Sequence, residues 1–394
     1  MKRINRLQAR LLGAVEEARH NPCFGLPKWA DSALRETIHQ RPVICCGTGH
    51  WAQDFLRNAR CLEVIALVDD AFGGREILGL PCVDTNGFLR LVASHPDAIC
   101  INTGNSDAGY SHWERLGLEF GLRMLDYPQA VRAFRLQTDI RVGDWLQPIV
   151  DRIDEFLTIG EILADSLSVE TLYSVLLYHL ETNRGHLLAI NRPAETTYFR
   201  SGLFEMRERE TYVDCGAFDG DSVQQFIRAT RGRFHAIHAF EPDPQNFARL
   251  AAWRARELRY NYAQRITLHQ KAVGSASGTI ELTSTGDAGA CVPLVRGEAA
   301  AGVPHSVVEI TSLDEAITEP ISLLKLDVEG HELEILRGVR GHLHHERPNL
   351  AICAYHLPGD LVDLPRFIES LDAGYRIGLR HHSGTRYDTV LYAF

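Results

Sequence analysis

The run "TYVDCGAFDGDS", Thr211–Ser222, decides the fold of the second half of the chain. Its first residues are apolar and β-branched, as in a buried strand, and "DSVQQFIRAT" behind it has the spacing of an amphipathic helix. The glycine turn "CGAFDG", 215–220, joins the two. In an open parallel sheet such a turn lies at the C-terminal ends of the strands, where ligands bind beside the switch in strand order. Gly216 lets the ligand approach the backbone closely, and Gly220 permits the turn into the helix.

Outward from that turn, strand and helix alternate. "HAIHAFEPD" reads as a strand, "PQNFARLAAWRAREL" as a helix and "RITLHQKAVG" as a third strand. "GTIELTST" and "HSVVEITSL" alternate with period two and flank a glycine-rich loop, which predicts an antiparallel insertion. "ISLLKLDVEG" is a buried strand, "HELEILRGVRGHL" a helix and "NLAICAYH" the next strand. After the helix "LVDLPRFIESL", "YRIGLRHH" and "YDTVLYAF" form a terminal hairpin through "SGTR".

A diphosphate-binding turn offers several glycines and a helix N-terminus without acids. Here Asp214, Asp219 and Asp221 flank the turn, and three carboxylates repel phosphate. They suit a ligand that carries positive charge and no phosphate, such as S-adenosylmethionine with its ammonium and sulfonium. Glu241 ends the second strand about 20 residues beyond Gly220, where an acid accepts ribose hydroxyls in nucleotide-binding folds. Helix capping and solvated turns are the competing roles for Asp214 and Glu241.

"YVDCGAFDGDS", "AFEPDPQNFARL", "KAVGSASGTIEL", "STGDAGA", "LLKLDVEGHELEILRG" and "YRIGLRHHSGTRYDTVLYAF" together resemble the FkbM family of S-adenosylmethionine-dependent methyltransferases, over roughly residues 195–394. The resemblance implies a seven-stranded class I methyltransferase fold whose last hairpin inserts an antiparallel strand. It implies methyl transfer, usually to a hydroxyl of a sugar or secondary metabolite. By motif match, Asp214, Gly216 and Gly220 would line the methionine part and Glu241 the ribose, with Cys215 and Ala217 adding loop backbone. His331 departs from the family pattern and receives no role.

The fourth strand carries the chemistry. Lys325, Asp327 and Glu329 alternate, so they share one face while the chain stays extended. A lysine inside an apolar strand is costly unless paired, so a buried ion pair that orders the strand end is one reading. The other places Asp327 and Glu329 at the sheet edge, facing the methyl donor. Methyl transfer needs an aligned nucleophile and a base for its proton. His356, at the end of "NLAICAYH", is the expected base, with Glu329 orienting its ring; His381 and His382 are the other candidates, of which at most one faces the site. Asp327 and Glu329 alone do not make a metal site, and no metal is assigned.

Upstream, "PVICCGTG", "EVIALVDDAFGG" and "DAICINTGN" read as strands separated by helices, a βαβαβ order with a parallel sheet. "CGTGHWA" gives Gly47-x-Gly49-x-x-Ala52, with Asp69 and Asp70 closing the second strand. This loop lacks acids and welcomes a phosphate, so Gly47, Gly49 and Asp69 form a candidate second nucleotide site; a scaffold or dimerisation role competes with it. Residues 1–135 are therefore expected to be a smaller Rossmann-like α/β domain, 136–200 a helical connector with Ser168 as a helix cap, and 201–394 the methyltransferase domain. The N-terminus reads as an amphipathic helix with Leu7, Leu11, Leu12 and Val15 on one face.

Composition narrows the partners. The chain has 394 residues, 45% hydrophobic and 23% charged, with a net charge of −10. That balance argues against nucleic acid, and Arg254, Arg256, Arg259 and Arg265 read as a solvated helix face. No apolar run approaches the roughly 20 residues that span a bilayer. Nine cysteines without metal-ligand spacing suit a reducing, cytoplasmic setting. A small-molecule or glycan hydroxyl acceptor and a homodimer are the expected partners. The alternatives are a non-catalytic nucleotide- or nucleotide-sugar-binding protein that keeps the fold, and a dehydrogenase using the first loop, for which no hydride-transfer residue is visible.

Overall fold

The computed structural model describes residues 2–30, 37–104, 106–283 and 305–394. Contacts divide the chain into two compact units. One comprises residues 1–153, 173–189 and 383–386; the other comprises 154–172, 190–382 and 387–394. The helical stretch between the two sheets is thus shared between the units, and "SGTR" groups with the first.

In the first unit, β1 (Val43–Cys46), β2 (Val64–Val68), β3 (Arg75–Ile77), β4 (Leu80–Val83), β5 (Ile99–Asn102) and β6 (Met124–Asp126) form one sheet in the order β3-β4-β2-β1-β5-β6. All pairs are parallel except the β3–β4 hairpin. β1 is buried at every position, which is why "VICC" is apolar throughout and why Cys45 and Cys46 are both enclosed. The β3–β4 hairpin and β6 are not expected from the sequence, because strands of three or four residues carry no measurable periodicity. The N-terminal helix spans Lys2–His20 and buries Leu11, Ala14, Val15 and Ala18. Leu12, expected on that face, is 44% exposed, since it lies about 100° around the helix from Leu11.

In the second unit, β7 (Thr211–Cys215), β8 (Ala236–Phe240) and β9 (Ile266–His269) are followed by β10 (Ala272–Val273), β11 (Gly278–Thr283) and β12 (His305–Thr311). β13 (Leu323–Leu326), β14 (Asn349–Cys353), β15 (Ile377–His381) and β16 (Thr389–Ala393) complete it. Seven strands run in the order β15-β16-β14-β13-β7-β8-β9, and β16 is antiparallel to both its neighbours. That is the seven-stranded arrangement expected from the resemblance. β7 lies between β8 and β13, so the strand order reverses beside the "CGAFDG" turn.

"RITLHQKAVG" is two strands rather than one. β9 stays in the large sheet, and β10 leaves it to pair with β12, which also pairs antiparallel with β11. The glycine-rich loop between β11 and β12, including "STGDAGA", lies outside the described residues. Behind the large sheet, Tyr212 stacks on Phe226 at 4.5 Å between ring centroids, and Phe199 meets both edge-on at 5.3 and 5.4 Å. The helix Asp221–Thr230 contributes Val223 and Phe226, one turn apart, to this core.

Two polar expectations are corrected. The helix Ser166–Glu181 is capped by Asp165, whose Oδ1 accepts from the Ser168 amide at 2.8 Å; Ser168 lies inside the first turn and donates to Asp165 as well. Arg254 and Arg265 are not simply solvated, since they donate to the carbonyls of Ile266 and of Phe234 and Gly232. Among the described residues, no helix is long and apolar enough to cross a membrane.

Candidate active site

The glycine turn is shaped by close backbone approach. Gly216 has φ +81°, and a Cβ there would stand 1.9 Å from the carbonyl oxygen of Asp327, so no other residue fits. The amides of Gly216 and Ala217 both donate to the carbonyl of Phe240. Gly220 has φ +94°, and a Cβ there would meet the Trp253 ring at 2.9 Å. The turn is held by β8 on one side and by the end of β13 on the other.

Asp214 works from beneath the turn. Its side chain is fully buried; Oδ2 accepts from Ser222 Oγ at 2.6 Å, and Oδ1 lies 3.0 Å from Lys325 Nζ. Lys325 also donates to the Gly216 carbonyl at 2.8 Å and stands 3.9 Å from Asp327. Burial works against the Lys325 ammonium, but Asp214 and Asp327 beside it prevail and push its pKa up. A buried ion pair therefore orders the strand end, and its cation fastens the glycine turn.

Above that pair opens a cavity lined by Cys215, Gly216, Glu241, Lys325, Asp327 and Glu329 among the expected residues. The side chain of Asp214 and the residues Ala217 and Gly220 do not line it; they shape the turn instead. Glu241 is 5% exposed, with Oε2 accepting from the Phe218 amide and Oε1 from the Asp243 amide, each at 2.9 Å. Burial raises its carboxyl from 4.5 to about 7, against the pull of those two amides.

Asp327 follows β13, and its carboxylate accepts from the hydroxyls of Tyr198 and Tyr355, each at 3.2 Å. Burial pushes its pKa up, but Lys325 and His356 outweigh that and hold it below the ordinary aspartate value. The alternation expected for Lys325, Asp327 and Glu329 breaks at Glu329, which takes a left-handed φ of +54°. Glu329 still reaches the cavity, from a tight turn completed by Gly330 at φ +93°.

His356 does not stand where a neutral base is needed. It lies three residues beyond β14, is 3% exposed and does not line the cavity. Its Nδ1 is 2.8 Å from Glu332 Oε1, while Nε2 lies 3.6 Å from Asp327 and 3.7 Å from Glu329. Burial disfavours its charge, yet Glu332 and Glu329 lead a surrounding set of carboxylates that raise its pKa to about 10. A ring already protonated near neutral pH has no lone pair for an incoming proton. His381 bonds Thr389 and His382 bonds Tyr392, and neither lines the cavity.

Tyr198, from a segment expected beside the cofactor site, lines the cavity, and so do Phe218, Asn246, His331 and Tyr355, which had not been assigned to it. Period two offered a signal for Tyr355: it shares a face with Cys353, two residues before, and Tyr198 Oη lies 3.6 Å from Cys353 Sγ. Glu332 was also missed, because it falls on a helix rather than on the strand whose alternation drew the eye.

In the first unit, Gly47 has φ +121°, and a Cβ there would lie 2.9 Å from Thr103 Oγ1, so this glycine is explained by packing against the end of β5. Gly49 is the N-cap of the helix His50–Asn58, without a side-chain cap. Asp69 accepts from Thr48 Oγ1 at 2.7 Å and from the Ala71 amide at 2.9 Å, and Asp70 caps Thr85. The two carboxylates thus tie the end of β2 to the first glycine turn and to the start of the helix Thr85–Ser94.

A family model described as the methyltransferase FkbM domain matches residues 214–377. The crystal structure of methyltransferase FkbM from Methylobacillus flagellatus KT is 34% identical in sequence, covers 99% of this chain and 100% of that one, and superposes with a TM-score of 0.82. An rRNA methylase from Streptococcus thermophilus (14% identity, 48% of this chain and 87% of that one) has a TM-score of 0.30. Precorrin-6y C5,15-methyltransferase from Geobacter metallireducens GS-15 (16% identity, 54% and 88%) has 0.28. No curated protein matches the chain. With one relative similar along its entire length and the domain model lying over the glycine turn and the acidic strand end, this chain belongs to the FkbM methyltransferase family.

Proposed function

We propose that the chain is an S-adenosylmethionine-dependent methyltransferase that methylates a hydroxyl of a sugar-containing or secondary metabolite. One observation carries the reading: the cavity beside the strand-order reversal joins a glycine turn, Glu241 and an acidic strand end in one space. Its lining holds the carboxylates Asp221, Glu241, Asp327 and Glu329 against the ammonium groups of Lys271 and Lys325, and Lys325 is already paired with Asp214. Such a site favours a cationic ligand. The backbone at Gly216 meets the methionine part, and Glu241 accepts the ribose hydroxyls. When bound, the cofactor supplies a methyl group on a sulfonium, a good leaving group.

The chain's task is then to align the acceptor oxygen and receive its proton. Of the two carboxylates at the strand end, Asp327 is occupied by two tyrosine hydroxyls and held low by Lys325. Glu329 is the proton acceptor in this reading, with His356 Nε2 3.7 Å from its Oε2. Transfer of labelled methyl from S-adenosylmethionine to a panel of hydroxylated acceptors tests it. Glu329→Gln is expected to lower kcat by about 10²–10⁴-fold while cofactor binding persists. Unchanged kcat in Glu329→Gln removes the base assignment. Absence of transfer across the panel, with nucleotides binding at the Gly47 loop, favours the non-catalytic alternative.

A further inference from the structure

Behind the acidic strand end lies a second cluster, outside the lining of the cavity. Glu332, His356 and Asp360 each offer a ligand atom, the three atoms lie within 4.8 Å of one another, and all three residues are buried. They come from separate pieces of backbone: the start of the helix Glu332–Arg337, the segment after β14 and the start of the helix Asp360–Ser370. We infer that Glu332, His356 and Asp360 form a binding site for a divalent transition-metal ion of the Mn²⁺-to-Zn²⁺ range.

Three features support the site. Two carboxylates and one imidazole make a mixed oxygen and nitrogen set, which suits Mn²⁺, Fe²⁺, Co²⁺ or Zn²⁺ better than Mg²⁺ or Ca²⁺, whose ligands are oxygens. Glu332 is fully buried, yet its Oε2 has no hydrogen-bond partner, and a buried carboxylate oxygen without a donor is costly. The His356 ring is oriented as metal-ligating histidines are. Nδ1 faces Glu332, while Nε2, on the far side and without a hydrogen-bond partner, lies 3.6 and 3.7 Å from Asp327 and Glu329, carboxylates of the kind to which a ligating imidazole typically turns its other N–H.

The remaining contacts hold the ligands in place. Glu332 Oε1 accepts from the Val328 amide at 3.0 Å, and Asp360 Oδ2 accepts from the Leu357 amide at 2.8 Å. A divalent ion replaces the His356 Nδ1 proton and balances the two carboxylates. It does not enter the cofactor cavity, which none of the three residues lines. Its effect on that cavity passes through His356 to Asp327 and Glu329, so the three ligands are positioning residues with respect to methyl transfer.

The test uses the untagged full chain, stripped with chelator and returned to metal-free buffer near neutral pH. Titration with Mn²⁺ followed by electron paramagnetic resonance, with Zn²⁺ in competition, is expected to show about one ion per chain and coupling to one imidazole nitrogen. Glu332→Gln and Asp360→Asn are each expected to weaken binding at least about tenfold, while Glu334→Gln, on the exposed side of the same helix, leaves it unchanged. Circular dichroism identifies a variant that fails to fold, and the unsubstituted chain then decides alone. Absence of saturable Mn²⁺ and Zn²⁺ binding by that chain, binding without a nitrogen signature, or equal binding by folded Glu332→Gln and Asp360→Asn chains overturns the proposal.

Discussion

Substituting Glu241 by glutamine separates the cost of a buried carboxylate from its use. In the folded chain burial raises its carboxyl from 4.5 to about 7. The folded state therefore binds the proton more tightly than the unfolded state, and the resulting stabilisation is full below about pH 4.5 and lost as pH rises through about 7. The gap of about 2.5 pH units, at about 1.4 kcal/mol each, corresponds to about 3 kcal/mol. Glutamine does not titrate, so it escapes that loss, though it can accept from only one of the Phe218 and Asp243 amides, at a cost of about 1 kcal/mol. Urea denaturation of both proteins across pH 4 to 8 is the assay. Relative to the unsubstituted chain, Glu241→Gln is expected to gain about 3 kcal/mol across that range, ending about 2 kcal/mol more stable at the alkaline end. Cofactor affinity moves the other way, falling by about 10- to 100-fold as hydrogen bonds to a charged acceptor are lost. A stability difference that stays flat with pH refutes the reasoning, whatever its size.

Further substitutions probe the frame of the site. Lys325→Met leaves Asp214 buried beside a missing cation, so a loss of about 3–5 kcal/mol is expected in denaturant titration, and pairing it with Asp214→Asn is expected to restore part of that loss. Gly216→Ala forces a Cβ onto the Asp327 carbonyl at a left-handed φ; a fall in Tm and at least a tenfold loss of cofactor affinity by calorimetry are expected. Tyr355→Phe removes one of the two hydroxyls on Asp327; the Asp327 carboxyl, followed by nuclear magnetic resonance of the labelled side chain, is expected to titrate at higher pH, with cofactor affinity within a few-fold of the unsubstituted chain.

The alternation of strand and helix in the two halves, the position of both glycine turns and the acidic end of the fourth strand were legible, because each depends on local pattern. Gly216 could be placed at a close backbone approach from its setting alone, although the atom it approaches, the Asp327 carbonyl, comes from 111 residues further along the chain. What the pattern could not carry was direction. Asp214 and Glu241 look alike as acids at strand ends, yet one turns under the sheet edge to Lys325 and the other lies along the cavity wall. His356 was placed at the correct edge, but its protonation depends on Glu332, whose approach is set by the turn at Glu329 and Gly330 rather than by any spacing. The split of "RITLHQKAVG" into two sheets was hidden for the same reason, since both parts are equally strand-like.

The measurement closest to the central claim is a calorimetric titration of the purified chain with S-adenosylmethionine and its demethylated product, with Glu241→Ala beside it. The expected result is saturable binding at one site in the unsubstituted chain, lost or strongly weakened in the variant. Folded protein that binds neither compound, or a Glu241→Ala chain that binds both as tightly as before, contradicts the assignment of this cavity to the methyl donor.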